Sequence, residues 1–327
     1  MSAAGGERRA FAPACVGNIG AGFDLLGHSI EGPRDVARVR RIRRPEVRLR
    51  AIRGDAPGAG DLPLEPWRNT AGRALAILRR GLGLGHGFEI ELDKGIALGS
   101  GLGGSAASCV AALVAANALL DRPLPAADLY RLALRGEAAA SGTRHGDNVA
   151  PMLLGGVALA TRGRMVALPA PAWLHCAVVR PDLVIETRRA RALLEAPYPL
   201  RQVVAQTSCL ALFLVGLERG DPELIREGLR DLLVEPRRAD LIPGFYEVQA
   251  AALDHGALGA SISGAGPSVF GWFRSRSEAE AAAPAMQAAF RAAGLGSRAH
   301  VSPVAGPRAS LLPAASSPEE AAGEAAP

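Results

Sequence analysis

The sequence predicts an α+β fold in two domains. The chain has 327 residues, which is more than a single domain usually holds. Segments with the period of a strand and segments with the period of a helix are mixed, without the steady alternation of a doubly wound sheet. Prolines cluster near the middle of the chain, at Pro169, Pro171 and Pro181. We therefore expect an N-terminal domain over 10–168 and a C-terminal domain over 169–304.

Composition favours a globular protein and argues against several functional classes. Hydrophobic residues make up 49% and charged residues 21%, which argues against wholesale disorder and fibrous repeats. The net charge of +5 permits a phosphorylated or acidic small-molecule ligand, but with only 4% aromatic residues it is weak support for a nucleic-acid surface. The cysteines are too far apart for a zinc site or a disulfide scaffold; they are Cys15, Cys109, Cys176 and Cys209.

We expect no targeting segment at the N-terminus. The N-terminus lacks the apolar core of a signal peptide, and no apolar run approaches the roughly 20 residues that span a bilayer. We therefore expect a cytoplasmic protein, with neither nucleic acid nor a membrane among its partners. Residues 1–9 and 305–327 are expected to be disordered. The second segment is rich in Ala, Gly, Glu and Pro and cannot bury enough apolar area to order itself.

The first half of the chain predicts strands and helices in turn. Apolar and basic residues alternate over 38–53, which predicts a pair of strands with one solvated basic face; a field that attracts phosphate is the alternative. Alternation over 87–93 predicts a half-exposed strand. Small apolar residues over 105–120 predict a buried helix, and helical spacing over 125–140 predicts another. A polar loop is expected at 141–148.

The second half mixes both kinds of element. Strands are predicted at 156–160 and 174–179, helices at 188–194, 203–218, 222–233 and 277–293, and a glycine-rich strand, turn and strand at 260–273.

A glycine-rich segment at 99–107 is the most informative motif. Glycines let successive N–H groups turn toward one point, and the following helix adds positive charge there, so we expect a phosphate site. Gly99, Gly101 and Gly104 also match the dinucleotide fingerprint, but Asp121 ends the helix directly and no second strand follows to present it. A Walker A loop is excluded because the Gly-Lys-Ser/Thr ending is absent. A merely structural turn remains an alternative.

Two polar residues near this motif are candidate metal ligands. Ser105 stands at the first helical position, where its hydroxyl would cap the helix or bind Mg²⁺. Glu137 lies in an alanine-rich helix, where it would be a second metal ligand or simply a solvated carboxylate.

Three ordered blocks together resemble the GHMP small-molecule kinase family. Residues 12–27 are similar to its first motif, 97–107 to its ATP-binding motif and 261–270 to its C-terminal glycine-rich motif. The segment 145–151, which reads His-Gly-Asp-Asn-Val-Ala-Pro, resembles the branch that phosphorylates L-homoserine. The resemblance spans roughly 10–304.

The resemblance implies both a fold and a reaction. It implies an N-terminal domain with a left-handed βαβ unit, of a type also found in a ribosomal protein, and a ferredoxin-like C-terminal domain, with the nucleotide between them. It implies direct transfer of a phosphoryl group from ATP to the side-chain hydroxyl of L-homoserine in threonine biosynthesis, with Mg²⁺ and without a covalent phosphoenzyme. A homodimer is usual in this branch. Another kinase of the family, or an inactive nucleotide-binding homologue, is the alternative.

The resemblance also implies site residues. Asp24, Asn148 and Lys94 would be catalytic, with Asp147 as an alternative accessory. The substrate would contact Asn18, Asp24, His145, Thr187, Arg191 and Arg238. Mg²⁺ would be held by Ser105 and Glu137. ATP would contact Asn69, Thr70, Lys94, Ala97, Leu98, Gly99, Ser100, Gly101, Leu102, Gly103, Gly104, Ser105, Ala106, Ala107, Gly264 and Gly266.

The sequence departs from the family pattern at a few of these positions. Ala97 replaces a proline and Gly104 replaces the first of two serines, which removes one hydroxyl donor from the phosphate site. The doublet Arg237–Arg238 leaves the substrate arginine ambiguous by one position.

Overall fold

Two β-sheets and the helices around them make up the part of the chain that the structure describes. The computed structural model describes residues 6–141 and 146–313. Elements are labelled in chain order. The strands are β1 Glu7–Gly17, β2 Leu26–Ile42, β3 Val47–Arg53, β4 Gly87–Lys94, β5 Val157–Ala160, β6 Met165–Ala167, β7 His175–Pro181, β8 Gly259–Ile262, β9 Val269–Phe273, β10 Ser297–Pro303 and β11 Ser310–Leu312.

The helices surround these sheets. They are α1 Thr70–Gly81, α2 Gly104–Asn117, α3 Ala126–Ser141, α4 Gly146–Leu154, α5 Thr187–Ala192, α6 Leu200–Arg219, α7 Pro222–Gly228, α8 Glu235–Arg238, α9 Phe245–Asp254 and α10 Arg276–Ala292. Short 3-10 turns occur at Ala59–Asp61 and Ala239–Leu241.

The first sheet has the order β11-β1-β2-β4-β3, with β5 paired to β2 and β6 to β5. Strands β3 and β4 are parallel, and α1 connects them, so the three elements form a βαβ unit. Helix α2 packs on β1 and β2 and is buried along most of its length, because its residues are small and apolar. Its first residue, Gly104, therefore lies at the edge of the first sheet's core, where the glycine-rich loop ends.

The second sheet is antiparallel, in the order β10-β7-β9-β8, and both of its faces are covered. On β7, Cys176 and Val178 join the core of the first sheet, whereas Ala177 and Val179 join a second core with α9 and α10. This alternation follows the period of two of a strand. One hydrophobic core is therefore shared between the two sheets.

The two strands predicted over 38–53 exist as parts of β2 and β3, but they do not pair with each other. Strand β4 lies between them, so it is mostly buried, and the prediction that it is half-exposed is wrong. Arg40 of β2 forms an ion pair with Glu89 at 2.6 Å, and Arg50 of β3 forms one with Glu91 at 3.3 Å. The basic face is therefore partly neutralised by β4, which weakens the alternative of a field that attracts phosphate.

The structure corrects three other sequence predictions. The N-terminal end is ordered from β1 at Glu7, and the tail predicted to be disordered from 305 contains β11, which pairs with β1 through Arg9–Leu312 and its neighbours. The polar loop predicted over 141–148 is already helical from Gly146, where α4 begins. Pairing across the sheet supplies the order that composition did not indicate.

Helix α6 corrects the expectation about apolar runs. It has 20 residues and is long and apolar enough, by length and composition alone, to cross a membrane. Mostly buried core helices of soluble proteins pass the same test, whereas only 28% of the most apolar window of α6 is buried. Its residues Phe213 and Leu217 pack into the first core.

Candidate active site

A cavity of about 450 Å³ collects most of the predicted site residues. The glycine loop, the turn after β1, the start of α5 and the turn between β8 and β9 line it. The predicted residues that line it are Asn18, Asp24, Ala97, Leu98, Gly99, Ser100, Gly101, Gly103, Gly104, Ser105, Ala106, Glu137, Asn148, Thr187, Arg191, Arg238, Gly264 and Gly266. Residues from both halves of the sequence thus meet in one site.

The glycine loop before α2 has the backbone of an anion site. Gly99, Gly101 and Gly103 all have positive φ, of 59°, 78° and 71°, a conformation that glycine adopts without strain. Gly103 is the N-cap of α2 and supplies no side chain there, so the first N–H groups of the helix have no side-chain cap. Such N–H groups and the helix dipole together favour a bound phosphate.

The second glycine-rich turn packs directly on the first. A Cβ at Gly101 would lie within 3.0 Å of the carbonyl oxygens of Ser263 and Gly266, so only glycine fits this approach. The buried hydroxyl of Ser263 donates to the carbonyl of Gly101 at 2.8 Å, and that of Ser268 donates to the carbonyl of Ser100 at 2.7 Å. The two motifs therefore hold each other in place across 162 residues of sequence.

Ser105 and Glu137 lie together at the N-terminus of α2. The Ser105 hydroxyl donates to Glu137 Oε1 at 2.8 Å, and Glu137 is only 4% exposed. A hydroxyl and a buried carboxylate beside a phosphate site are hard oxygen donors of the kind that Mg²⁺ takes together with phosphate oxygens. The side chains present therefore fit a magnesium ion.

An ion pair marks another part of the cavity. Arg191 Nη2 donates to both carboxylate oxygens of Asp24, at 2.9 and 3.0 Å, and both side chains are about one-third exposed. Arg238 is 3% exposed and donates to the carbonyls of Ala190 and Gly264. Burial, with Arg191 nearby, lowers the pKa of Arg238. Two arginines that line one cavity favour an anionic group of a ligand beside them.

The turn after β1 sets the position of Asp24. Asn18, Ile19 and Asp24 have positive φ, which is uncommon for residues other than glycine. Asn18 Nδ2 donates to the carbonyl of Gly264 at 2.8 Å, and Asn18 Oδ1 accepts the backbone N–H of Asp24 at 3.1 Å. Asn18 therefore supports Asp24 and the second glycine turn through its own amide.

Asn148, at the start of α4, contacts a buried thiol. Cys15 Sγ donates to Asn148 Oδ1 at 3.1 Å. Burial, and then the carboxylates of Asp147 and Glu137, raise the pKa of the Cys15 thiol well above its usual value. The thiol therefore stays protonated near neutral pH and orients the Asn148 amide rather than acting as a nucleophile.

Several predicted residues do not reach the cavity. Lys94 is 1% exposed and directs its ammonium to Asp35, Gly104 and Ser108, so the prediction that it contacts the phosphates is wrong. Asn69 caps α1 by accepting the N–H groups of Ala71 and Gly72, and Thr70 donates to the carbonyl of Ser105 at 3.0 Å. Leu102 and Ala107 pack in the core. His145 lies outside the described residues.

The cavity also contains residues that the sequence did not single out. The Phe23 ring lies 5.5 Å from the Cζ of Arg191 and 5.2 Å from the Cζ of Arg238. Glu186 and Arg188 flank Thr187 at the start of α5, and both are exposed. Phe23 directly precedes Asp24 in the first motif, and this position could have marked it as a cavity residue. No pattern marked Glu186 or Arg188.

Comparisons with known proteins identify the family of the chain. Residues 69–156 match the GHMP kinases N terminal domain, and residues 213–292 match the GHMP kinases C terminal domain. A homoserine kinase of Xanthomonas campestris is 59% identical over 94% of both chains, and one of Xylella fastidiosa is 58% identical over the same shares.

A solved structure shows the same architecture. The crystal structure of homoserine kinase from Cytophaga hutchinsonii superposes with a TM-score of 0.90 at 39% identity, covering 95% of this chain and 99% of that one. Identity of this size over nearly the whole length shows membership of the same family as well as a common fold. The chain therefore belongs to the homoserine kinases, within the GHMP kinase family.

Proposed function

We propose that the protein transfers the γ-phosphoryl group of ATP to the side-chain hydroxyl of L-homoserine. The Asp24–Arg191 ion pair is the observation that carries this proposal. A carboxylate and a guanidinium joined side by side complement the ammonium and the carboxylate of an amino-acid zwitterion. A sugar has neither charge and mevalonate lacks the ammonium, so this pair favours an amino acid over those acceptors.

The glycine loop and the N-terminus of α2 support the assignment of the nucleotide end. The N–H groups of the loop would bind the phosphates, and Ser105 and Glu137 would hold Mg²⁺. When bound, Mg²⁺ would neutralise charge on the β- and γ-phosphates. Because the Glu137 side chain is buried, few rotamers are open to it, and its carboxylate would stay beside Ser105.

The other part of the cavity would hold the acceptor. Arg191 and Arg238 would bind the carboxylate of the substrate, and Asp24 would exchange its contact with Arg191 for the ammonium and orient the hydroxyl. Asn18, Thr187 and Asn148 would complete the pocket. His145 stays a predicted contact with the carboxylate.

The reaction would depend on alignment more than on covalent help. The transition state of phosphoryl transfer is loose, so positioning and charge neutralisation supply most of the rate enhancement. The hydroxyl oxygen would form the new P–O bond as the bond to the ADP oxygen breaks, and Asp24 would orient the hydroxyl as its proton leaves. We therefore propose no phosphoenzyme. We also propose a cytoplasmic location, which the four free, buried cysteines support.

The proposal is tested by measuring ADP release with Mg-ATP and a panel of acceptors. The acceptors are L-homoserine, L-serine, mevalonate, galactose and none. We expect acceleration by L-homoserine, with L-serine slower by roughly 10- to 200-fold because it lacks one methylene. ADP release that no acceptor accelerates, or that mevalonate or galactose accelerates most, would contradict the proposal.

Variants link the activity to the cavity. We expect Asp24→Ala and Glu137→Ala each to lower kcat/KM by about 100-fold or more, because each removes charge from the site of transfer. Asp128→Ala is the matched control, since Asp128 is also a carboxylate of α3 but pairs with Arg131 on the surface. Full activity in Asp24→Ala would exclude its assigned role.

A further inference from the structure

The chain contains a single lysine. Lysine and arginine together number 37, and every one of these residues except Lys94 is an arginine. Lys94 ends β4, directly before the glycine loop, and is almost completely buried. All the remaining Lys and Arg positions are arginines, so the single lysine ammonium of the chain lies where solvent does not reach it. The surroundings of Lys94 explain this choice.

The Lys94 ammonium has three acceptors around it. It forms an ion pair with Asp35 of β2 and donates to the carbonyl of Gly104 at 2.7 Å and to Ser108 Oγ at 2.8 Å. The Ser108 hydroxyl in turn donates to Asp35 Oδ2 at 2.7 Å. A planar guanidinium on a longer, forked side chain does not match three acceptors gathered around one point.

The other oxygen of Asp35 reaches the start of the glycine loop. Asp35 Oδ1 accepts the backbone N–H groups of Gly95 and Ile96, each at 3.1 Å. The segment 95–104, which leads into the glycine loop, therefore begins at N–H groups bound to Asp35 and ends at the Gly104 carbonyl bound to Lys94. Both ends are attached to the same buried ion pair.

We propose that Lys94 and Asp35 are positioning residues for the nucleotide. By fixing Gly95, Ile96 and Gly104, the pair sets the span of the glycine loop, the first residue of α2 and hence the place of Ser105. Lys94 acts on the phosphates through the backbone of the loop, not by contact. The proposal rests on the proposed function only in taking ATP as the ligand.

The test is the double variant Lys94→Met/Asp35→Asn. It removes both buried charges together, which avoids the large loss of stability that one unpaired charge would cause. Asn keeps an acceptor for Gly95 and Ile96, whereas the hydrogen bonds of the ammonium to Gly104 and Ser108 are lost. We expect the melting temperature to stay close to that of the wild type and the Kd for ATP, measured by calorimetry without acceptor, to rise about tenfold.

Two further variants keep the test decisive. Ser108→Ala removes only the hydroxyl that joins Lys94 to Asp35, and we expect the Kd for ATP to rise about threefold with little loss of stability. Trp272→Phe is the control, because it removes the indole N–H that Trp272 donates to buried His28 and lowers stability outside the loop. We expect its Kd for ATP to match the wild type.

The Kd values for ATP decide whether Lys94 and Asp35 position the loop. A rise in Kd in the double variant or in Ser108→Ala, but not in Trp272→Phe, supports positioning. A Kd within twofold of the wild type in every variant that folds, or an equal rise in Trp272→Phe, overturns it. The KM for L-homoserine at saturating ATP should not change. A wild type that binds ATP without responding to L-homoserine would refute the proposed acceptor and leave this test valid.

Discussion

Arg237 and Arg238 show that adjacent residues of the same type can have different roles. Arg238 is buried and lines the cavity, where it donates to the carbonyl of Gly264 at 3.0 Å. Arg237 donates to the carbonyls of Ala196 and Pro197, and its Cζ lies 3.7 Å from the centroid of the Tyr198 ring. The structure therefore favours Arg238 over Arg237 as the substrate arginine.

Substituting each arginine in turn tests this assignment. We expect Arg238→Met to raise the KM for L-homoserine about 30- to 100-fold, because it removes a charged hydrogen bond to the substrate carboxylate. Arg237→Met, the matched control, should change that KM less than about threefold, since an exposed contact is worth little. Steady-state kinetics at saturating ATP measure both. Equal effects of the two substitutions would contradict the assignment.

We expect the buried side chain of His28 to make the free energy of unfolding depend on pH in the acid range. It is completely buried, its Nε2 accepts the indole N–H of Trp272 at 3.2 Å, and its Nδ1 lies 3.1 Å from the carbonyl of Ser29. Burial lowers the pKa of His28 to about 4, below the 6.5 of an unfolded histidine. The unfolded chain therefore binds the proton more tightly. We expect His28 to cost no stability above pH 6.5 and to lower the free energy of unfolding as the pH drops toward 4, by up to about 3 kcal/mol.

Urea unfolding between pH 4 and pH 7 checks this expectation. His28→Gln lacks the titrating group, so its free energy of unfolding should depend less on pH over this window than that of the wild type. Parallel curves for the two proteins would show that His28 contributes nothing to the pH dependence.

At the scale of elements, the glycine loop packs against the second glycine-rich turn. Gly101→Ala would force a positive φ on alanine and also place a Cβ within 3.0 Å of two carbonyl oxygens. Gly83→Ala has the same backbone cost, with φ of 60°, but its Cβ would meet no atom within 4 Å. The pair therefore separates backbone strain from the contact between turns.

The two variants should differ in ATP binding. We expect Gly83→Ala to lose roughly 1 kcal/mol of stability and to bind ATP normally. Gly101→Ala should lose more stability and raise the Kd for ATP by about tenfold or more, because the turns must separate. Thermal unfolding and calorimetry measure the two effects. Unchanged ATP affinity in Gly101→Ala would show that the contact between turns is dispensable.

At the scale of the whole molecule, the chain returns to its first sheet at its end. After β10 in the second sheet, β11 pairs with β1 at the edge of the first. We expect truncation after residue 307 to lower the melting temperature by about 2 to 4 °C, since it removes roughly 1 kcal/mol of strand pairing. Truncation after residue 313 is the control and should leave it unchanged. Equal melting temperatures would mean that β11 adds no stability.

The sequence by itself determined the features that depend on local backbone. Gly99, Gly101 and Ser105 predicted the phosphate loop and the start of α2, because the conformational freedom of glycine and the dipole of a helix act within a few residues. The order of the motifs then indicated the family and the kind of reaction. Most of the predicted lining of the cavity followed from the resemblance to that family.

Only the tertiary structure decided which polar groups face the cavity and which are buried behind it. Lys94 turned out to support the loop from behind, Asn69 to cap α1, and Arg238 rather than Arg237 to line the cavity. The role of Lys94 depends on Asp35, which lies 59 residues earlier in the chain. A buried charge needs a partner that lies close to it in space. The separation of two residues along the chain does not specify whether they meet in this way.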